Sequence, residues 1–264
     1  RFRQALIKES FKNGVTKAAI RYKVNRQYVY RWRKRYDGTL KSLSDKSHRP
    51  HNHPNRHKPK EEKQLMPDLS GPIIEEIIAS LIDVPGKNFK ASKYEVTQAQ
   101  WNYIMGDNTS KYVGDNLPVT NVSYEDCLDF INILNHSSIV KERGLIFKLP
   151  NESEWRYACK AGGLGDFGNV SQNQEGNISD VAWYIHNSNN QPHQVGQKTP
   201  NAWGIYDMHG NVWEWTTTKK GEQYLLYGGA DNLNDYRCTA TSTIFNYANY
   251  RHQLLGFRLF ATAK

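Results

Sequence analysis

The sequence predicts an α+β body that follows a small all-α head, and three observations support this fold class. Patterns typical of helix caps precede amphipathic stripes at three places in the body. Beyond residue 160, stretches rich in Gly and Asn predict long loops, and no regular hydrophobic periodicity is present there. Three short helical patterns occupy the first 37 residues. We therefore predict a head at 1–37, a linker at 38–70 and a body at 71–264.

Charge is distributed unevenly along the chain. Residues 1–63 contain 19 Lys and Arg residues against five Asp and Glu residues, which gives this part a net charge of +14. The whole chain carries +9, so the remaining residues carry −5. This asymmetry indicates a polyanion-binding head joined to a mildly acidic body. No run of 18 apolar residues occurs, so we expect no membrane span.

The three cysteines are Cys127, Cys159 and Cys238. They are far apart and odd in number, so they predict neither a disulfide framework nor a zinc site. Cys127 and Cys159 fall on the apolar stripes of two predicted helices, and we expect them to be small core residues. This cysteine usage favours a reducing, cytoplasmic compartment.

The head has the pattern of three short helices. The first is predicted at 2–12, where an Asn-Gly pair follows as a stop signal. Thr16 is predicted to cap the second helix, and Asn25 to cap the third, at 26–36. The apolar positions of the three helices are Ala5, Leu6, Phe11, Ala18, Ala19, Ile20, Tyr22, Val29 and Trp32.

The third helix has a basic exposed face. Its exposed side chains are predicted to be Arg26, Gln27, Tyr30, Arg33 and Lys34. The arrangement resembles the helix-turn-helix of insertion-sequence transposases, in which the third helix enters the DNA major groove. The resemblance implies base contacts near the helix N-terminus and phosphate contacts further along. The alternative is a three-helix interaction domain with a solvated basic face.

Residues 38–70 have the composition of a linker, because they are rich in Pro, Lys and His and lack a period. Four histidines could chelate a metal, but no cysteine or well-placed carboxylate accompanies them. A basic tether that adds non-specific phosphate contacts is the favoured interpretation, so DNA contacts are predicted within residues 1–60. The four histidines are His48, His51, His53 and His57.

Three helices of the body are predicted to begin at capping motifs. Thr97 is expected to cap the first. Ser123 and Asp126 form a capping box ahead of the second, and Asn151 and Glu154 form another ahead of the third. The inward stripes of the three helices are Trp101 and Ile104; Cys127, Phe130, Ile131 and Leu134; and Trp155, Ala158 and Cys159.

Five separated motifs of the body agree in order and spacing with one known family. They are KYEVTQAQW (93–101), LPVTNVSYEDC (117–127), FKLPNESEWRYACKAGG (147–163), YDMHGNVWEW (206–215) and LGFRL (255–259). Together they resemble the formylglycine-generating-enzyme (sulfatase-modifying factor) domain. The resemblance implies a variant of the C-type lectin fold, with helices around small, mostly antiparallel sheets.

The resemblance also implies a calcium site in the YDMHGNVWEW motif. In the resembling enzymes, residues at the positions of Asp207, Gly210, Val212 and Glu214 hold a calcium ion through carboxylates and backbone carbonyls. The alternative is that the two carboxylates only satisfy donors in a buried turn. A second family calcium site would fall near Asn177, where this chain departs from the family pattern.

The catalytic copper site of the family is incomplete in this chain. The enzymes use two cysteines five residues apart, shortly after a Gly-Gly-Ser turn. The matching positions here are Leu233 and Cys238, which follow Gly228 and Gly229. Copper(I) requires soft thiolate ligands, and one cysteine cannot replace two. We therefore expect no copper and no oxidase activity.

Residues 231–252 have an unusual composition. They read DNLNDYRCTATSTIFNYANYRH and contain no Lys, Glu, Gln, Met or Trp. These residue types are the ones that cannot be reached when AAC or AAT codons are randomised at their first two bases. Diversity-generating retroelements vary their target proteins in this way, and the segment resembles the variable region of such proteins. An ordinary diverged paralog is the alternative.

These resemblances predict a non-catalytic protein that displays a diversified surface to a protein or other macromolecular ligand. The competing interpretation is a DNA-binding regulator or mobile-element accessory protein, in which the body senses or oligomerises. Gly228, Gly229, Arg251 and Arg258 are expected to hold the segment in place. The candidate ligand contacts are Asn232, Leu233, Asn234, Tyr236, Arg237, Ser242, Ile244, Phe245, Asn246, Tyr247, Asn249, Tyr250 and His252.

Overall fold

The computed structural model describes residues 2–23, 29, 33, 69, 71–171 and 174–264. The chain divides into two compact units, Arg1–Asp68 and Leu69–Lys264. Within the described residues, no helix combines the length and the apolar composition that a bilayer crossing requires.

The first unit contains two described helices, α1 (Phe2–Asn13) and α2 (Val15–Arg21). They pack through a small apolar cluster in which Leu6, Ile7 and Ala18 are completely buried. Ile7 therefore takes the inward position in α1, although the sequence pattern favoured Ala5, which is exposed.

Two further details of the predicted head are wrong. Thr16 does not cap α2, because the helix begins at Val15, directly after Gly14. Gly14 has a φ of +87°, and its carbonyl accepts the hydrogen bond from the Ala18 amide at 3.1 Å. Phe11 is not a core position, since 56% of its surface is exposed. Its ring lies 4.5 Å from the guanidinium of Arg33 instead.

The body contains six helices and twelve strands among its described residues. In chain order they are α3 (Pro72–Ala79), β1 (Leu81–Asp83), β2 (Phe89–Glu95), α4 (Gln98–Met105), α5 (Tyr124–Asn135), α6 (Ser138–Glu142), β3 (Leu145–Lys148), α7 (Glu152–Lys160), β4 (Asn169–Ser171), β5 (Gln174–Glu175), α8 (Ile178–Val181), β6 (Ala182–Trp183), β7 (His209–Gly210), β8 (Trp213–Lys220), β9 (Gln223–Tyr227), β10 (Thr243–Tyr247), β11 (Leu255–Gly256) and β12 (Arg258–Ala263).

Two four-stranded sheets form the centre of the body. The first has the order β1-β2-β12-β3 and is antiparallel throughout, so the last strand of the chain lies between two early ones. The second has the order β10-β9-β8-β11, in which β11 is parallel to β8. Two short pairs, β4 with β5 and β6 with β7, complete the described strands.

The predicted helix caps of the body are confirmed. Thr97, Ser123 and Asn151 each accept a hydrogen bond from the backbone three residues later, and each belongs to a complete capping box. These motifs depend on residues that are close in sequence, which is why the pattern alone located the starts of α4, α5 and α7.

The core of the body is strongly aromatic. Trp101 stacks on Phe130 at a centroid distance of 5.5 Å, and Phe257 meets both rings edge-on. Cys127 and Cys159 are completely buried free thiols, as their places on the apolar stripes predicted. Burial raises the pKa of both thiols, so they remain protonated at neutral pH.

Arg258, at the start of β12, connects the two sheets. The guanidinium is completely buried and donates to both oxygens of Glu214 in β8 at 2.8 to 3.1 Å. It also donates to the carbonyls of Ser92 and Lys93 in β2 and of Tyr206 at 2.7 to 3.0 Å. These buried hydrogen bonds fix the start of β12 between the two sheets.

Replacing Arg258 should destabilise the body far more than replacing an exposed arginine. Arg258→Met leaves the Glu214 carboxylate buried and unpaired, which costs about 3–5 kcal/mol in the free energy of unfolding. Arg143→Met, the matched control, removes an exposed pair with Glu75 and should cost about 1 kcal/mol or less. Urea unfolding followed by tryptophan fluorescence measures both.

Adding Glu214→Gln to Arg258→Met should recover part of the loss, because it removes the unpaired charge and keeps an acceptor for Trp155. Equal effects of the two single arginine variants would contradict the central role of Arg258.

Candidate functional site

The segment 231–252 leaves the scaffold through a turn that only glycine can form. Gly228 and Gly229 have φ angles of +101° and +86°. A Cβ on Gly229 would lie 2.6 Å from the carbonyl oxygen of Arg237 and 2.7 Å from Sγ of Cys238. The turn is therefore fixed both by its backbone conformation and by crowding. Beyond it the chain forms a loop, a short 3₁₀ helix (Asp235–Arg237) and the edge strand β10.

The thirteen candidate contact residues all lie at the surface or are half-buried. Tyr236, Tyr247 and Tyr250 are the large exposed side chains among them, with 67%, 59% and 44% of their surfaces accessible. Four residues of the same segment are buried, and none of them belongs to the thirteen. These four are Asp231, Cys238, Thr239 and Ala240.

Three of the thirteen side chains pack partly on the body core. Ile244 and Leu233 contact the large cluster around Trp101, and Phe245 contacts the cluster around Trp155. The Lys220 ammonium also lies 4.6 Å from the centre of the Phe245 ring. These three residues offer only part of their surface to a ligand and help to fix the shape of the segment.

The second half of the segment is held against the N-terminus of α5. Arg251 donates two hydrogen bonds of 2.7 Å to Asp126, the residue that also completes the capping box of α5. The Asn121 amide donates to the carbonyl of His252 at 3.0 Å, and the Glu125 amide donates to that of Ala248. Arg251 is thus placed as the sequence predicted, but the part played by Asp126 was missed.

The two positions that match the copper ligands of the resembling enzymes lie in an apolar environment. Cys238 is completely buried and packs with Val181, Ala182 and Tyr184, and Leu233 packs against the same cluster. Burial raises the pKa of the Cys238 thiol to about 12, so the thiolate that copper(I) needs is disfavoured. The residues present do not fit the copper centre.

The four predicted calcium ligands do not fit a calcium site as a set. Both carboxylate oxygens of Glu214 accept hydrogen bonds from Arg258 or Trp155, and a guanidinium beside the site opposes a cation. Asp207 accepts from the Gly196 amide at 2.6 Å through Oδ2, while Oδ1 has no hydrogen-bond partner among the described residues. Nor do those residues contain a cluster of three or more His, Cys, Asp or Glu side chains with metal-binding geometry.

The Gly210 turn lets two backbone segments of the body approach closely. Gly210 has a φ of +73°, and a Cβ there would lie 2.0 Å from the carbonyl oxygen of Trp183. Asn211 donates from its amide side chain to the buried Glu95 carboxylate at 2.7 Å, and the Val212 amide donates to the same carboxylate. The motif is therefore held by close backbone packing and by hydrogen bonds to the buried Glu95 carboxyl group.

Asp231 is a site residue that the sequence analysis missed. Its surface is only 1% exposed, and no side chain among the described residues donates a hydrogen bond to either carboxylate oxygen. Burial raises the pKa of this carboxyl to about 6, partly opposed by the Asn232 amide and the Lys111 ammonium. An acidic residue next to a Gly-Gly turn gave no sequence signal, because its burial depends on loops that are distant in the chain.

Of the five predicted DNA contacts, only Arg33 is described. Its guanidinium stacks over Phe11, which makes it partly buried. The other four predicted contacts lie outside the described residues: Arg26, Gln27, Tyr30 and Lys34.

The fold defines a lectin-type α+β domain. Residues 231–252 form part of its surface and follow the Gly228-Gly229 turn. Sulfatase-modifying factor enzyme 1-like domains match residues 74–263, and the chain belongs to this family. The predicted fold family is confirmed.

Individual relatives agree with this assignment. Chaperone protein LppX of Paenibacillus barcinonensis is 30% identical over 173 residues, which cover 48% of this chain and 61% of that protein. The formylglycine-generating enzyme of Mus musculus is 30% identical over 197 residues, which cover 62% of this chain and 49% of that enzyme. The chain therefore spans less than two thirds of the length of either relative.

A solved structure shares the fold. Treponema denticola variable protein 1 superposes with a TM-score of 0.57 at 23% sequence identity, over 70% of this chain and 91% of that one. The shared fold therefore covers nearly the whole of the other protein.

Asp231→Asn should stabilise the body near neutral pH. The folded-state pKa of about 6 lies above the ordinary value of 3.8, so ionisation of the carboxyl removes stability as pH rises from about 4 to 6. The variant avoids this loss, and we expect a gain on the order of 1 kcal/mol at pH 7.5, about 2–4 °C in Tm. The gain should shrink towards zero near pH 4.

The matched control is Asp235→Asn, which removes the same charge from an exposed position in the same segment. It should change the free energy of unfolding by no more than about 0.5 kcal/mol at either pH. Thermal unfolding at pH 7.5 and pH 4 tests both variants, and a destabilised Asp231→Asn would show that the carboxylate has a structural partner.

Proposed function

We propose that the body is a non-catalytic ligand-binding domain and that residues 231–252 form its diversified binding surface. The observation that carries this proposal is the division within the segment. All thirteen candidate positions are at least partly accessible, whereas the four buried residues are Asp231, Cys238, Thr239 and Ala240. A surface that differs between diversified versions of one protein must keep its variable side chains out of the core, because core substitutions lower the stability of the fold.

The exposed residues have the chemistry of an adaptable binding face. Tyr236, Tyr247 and Tyr250 supply rigid amphipathic area at a low entropic cost. Asn234 and Asn249, both exposed, supply hydrogen-bonding groups that suit many partners. This composition favours a protein or another macromolecule as the ligand, since such a ligand can cover several aromatic side chains at once.

We propose that the domain is non-catalytic because of the surroundings of Leu233 and Cys238, the two positions that match the metal ligands of the resembling enzymes. Leu233 supplies no ligand atom, and Cys238 is a buried thiol in apolar surroundings. A scaffold that keeps the fold of the family but fills its catalytic position with a hydrophobic side chain is suited to binding. The shared fold with a protein named as variable supports the same proposal.

The proposal predicts a pattern of natural variation. Sequencing this locus in many closely related cells should reveal substitutions confined to residues 231–252 and drawn from the types reachable by randomising adenines. The same locus should also contain a second DNA copy of the segment that encodes residues 228–258, next to a reverse transcriptase gene. The exposed loop at 107–116 is the internal control and should not vary. An invariant 231–252 segment would refute diversification.

A second proposed activity belongs to the head, and its net charge of +14 over residues 1–63 is the observation that favours it. DNA binding through the predicted third helix should weaken steeply with salt. In fluorescence anisotropy with duplex DNA, Arg33→Glu should lower the salt slope by about one or more. Arg143→Glu, the same change at an exposed site of the body, should leave binding unchanged. Salt-independent binding would count against this activity.

A further inference from the structure

One edge of the second sheet is a strand without the usual protection. Strand β10 lies at the end of that sheet and pairs with β9 through five consecutive residues without a bulge. It contains no charged residue and no proline. Native sheet edges are usually short, charged, bulged or covered, because their unpaired backbone groups can pair with another chain. Among the described helices and strands, only β9 packs extensively against β10.

The other three edges of the two four-stranded sheets are protected. Strands β1 and β11 have only three and two residues, and β1 also carries the charged Asp83. In β3, the side chain of Asn135 occupies the outward backbone groups of Phe147. Its Oδ1 accepts from the Phe147 amide and its Nδ2 donates to the Phe147 carbonyl, each at 2.8 Å. Within these two sheets, β10 is therefore the edge that is both long and uncharged.

The pairing of β9 determines which backbone groups of β10 face outward. The Leu225 carbonyl accepts from the Thr216 hydroxyl of β8 at 2.9 Å, so the backbone of Leu225 faces β8. Residues of an antiparallel strand alternate in the side to which their backbone groups point, so the two neighbours of Leu225 face β10. Their partners in β10 are Ile244 and Asn246. The remaining residues of β10 therefore point their N–H and C=O groups away from the sheet.

The outward-facing residues are Thr243, Phe245 and Tyr247. The Tyr247 carbonyl accepts from the Tyr250 amide at 3.0 Å, in the turn that ends the strand. The N–H and C=O groups of Thr243 and Phe245 and the N–H of Tyr247 have no strand to pair with among the described residues. These groups extend over about 14 Å and repeat every two residues. Another extended polypeptide has the matching repeat of donors and acceptors.

We propose that a protein partner adds an extended segment to β10 as the fifth strand of the second sheet. The inference rests on the proposed function, because residues 244–247 of β10 belong to the diversified surface. Main-chain hydrogen bonds do not depend on side-chain identity, so every diversified version keeps this mode of binding. The side chains of β10 and the exposed Tyr247 then select which extended segment is bound.

A different protein fits this edge better than a second copy of the chain. Two copies that pair through β10 would form a two-fold interface, in which the same side chains must be complementary to themselves. Side chains that differ between diversified versions do not preserve such self-complementarity. A partner of different sequence has no such restriction.

A random-peptide display library provides the probe. Dodecapeptides are selected on the full-length wild type, and one selected peptide is synthesised with a single N-methyl group at each residue in turn. N-methylation removes a backbone donor and leaves the side chain unchanged. Affinity should fall at least about tenfold, which corresponds to about 1.4 kcal/mol, at every second residue of the bound stretch. At the residues between them the loss should be less than about threefold, because their N–H groups point away from β10.

A matched pair of variants tests the edge from the side of the protein. Thr243→Pro removes one outward N–H at the first residue of an edge strand, a position that tolerates proline. It should weaken binding of the unmethylated peptide at least about tenfold. Thr243→Val keeps the N–H and should change the affinity less than about threefold. Urea unfolding verifies that both variants are folded, and the N-methyl scan gives its result on the wild type even if Thr243→Pro is not.

The outcomes separate this inference from the proposed function. A peptide whose binding is lost in Tyr247→Ala but tolerates every N-methyl group would overturn strand addition and leave the binding surface in place. Equal affinities of folded Thr243→Pro and Thr243→Val would also overturn it. A wild-type dimer in sedimentation that becomes a monomer in Thr243→Pro would identify a second copy as the occupant, against the partner proposed. A wild type that selects no peptide would count against both the inference and the proposed function.

Discussion

The buried ion pair between Arg258 and Glu214 is the interaction on which the rest of the body depends. One guanidinium joins β12 and β2 of the first sheet to β8 of the second. Its desolvation is tolerated only because every donor direction meets a carboxylate or carbonyl oxygen. Segment 231–252 lies between Tyr227 and Arg258 in sequence, so this pair fixes the strands that follow the segment, while Gly228 and Gly229 fix its entry.

This arrangement separates the source of stability from the exposed surface of residues 231–252. The aromatic core around Trp101 and Trp155 lies outside residues 231–252. The segment itself gives the core only a few buried side chains, among them Cys238 and Ala240. Large exposed side chains such as Tyr247 can then change without opening a cavity. A fold with this division can keep one structure while it presents many surfaces.

The two positions that match the metal ligands of the resembling enzymes have a different chemical character in this chain. In this chain an apolar side chain stands at the first metal position, and burial keeps the thiol of the second protonated. Burial is the main cause of the raised pKa of the Cys238 thiol, and the charges of Asp235 and Asp231 raise it further.

The sequence by itself determined the features that depend on neighbouring residues. Capping boxes at Ser123 and Asn151 and the inward cysteines followed from spacings of three or four residues, and the family followed from motifs in a fixed order. Tertiary structure alone decided the strand order, which places β12 between β2 and β3, and the pairing of Glu214 with Arg258. It also decided the burial of Asp231. These features arise from contacts between residues far apart in the chain, and no local pattern encodes which distant groups will meet.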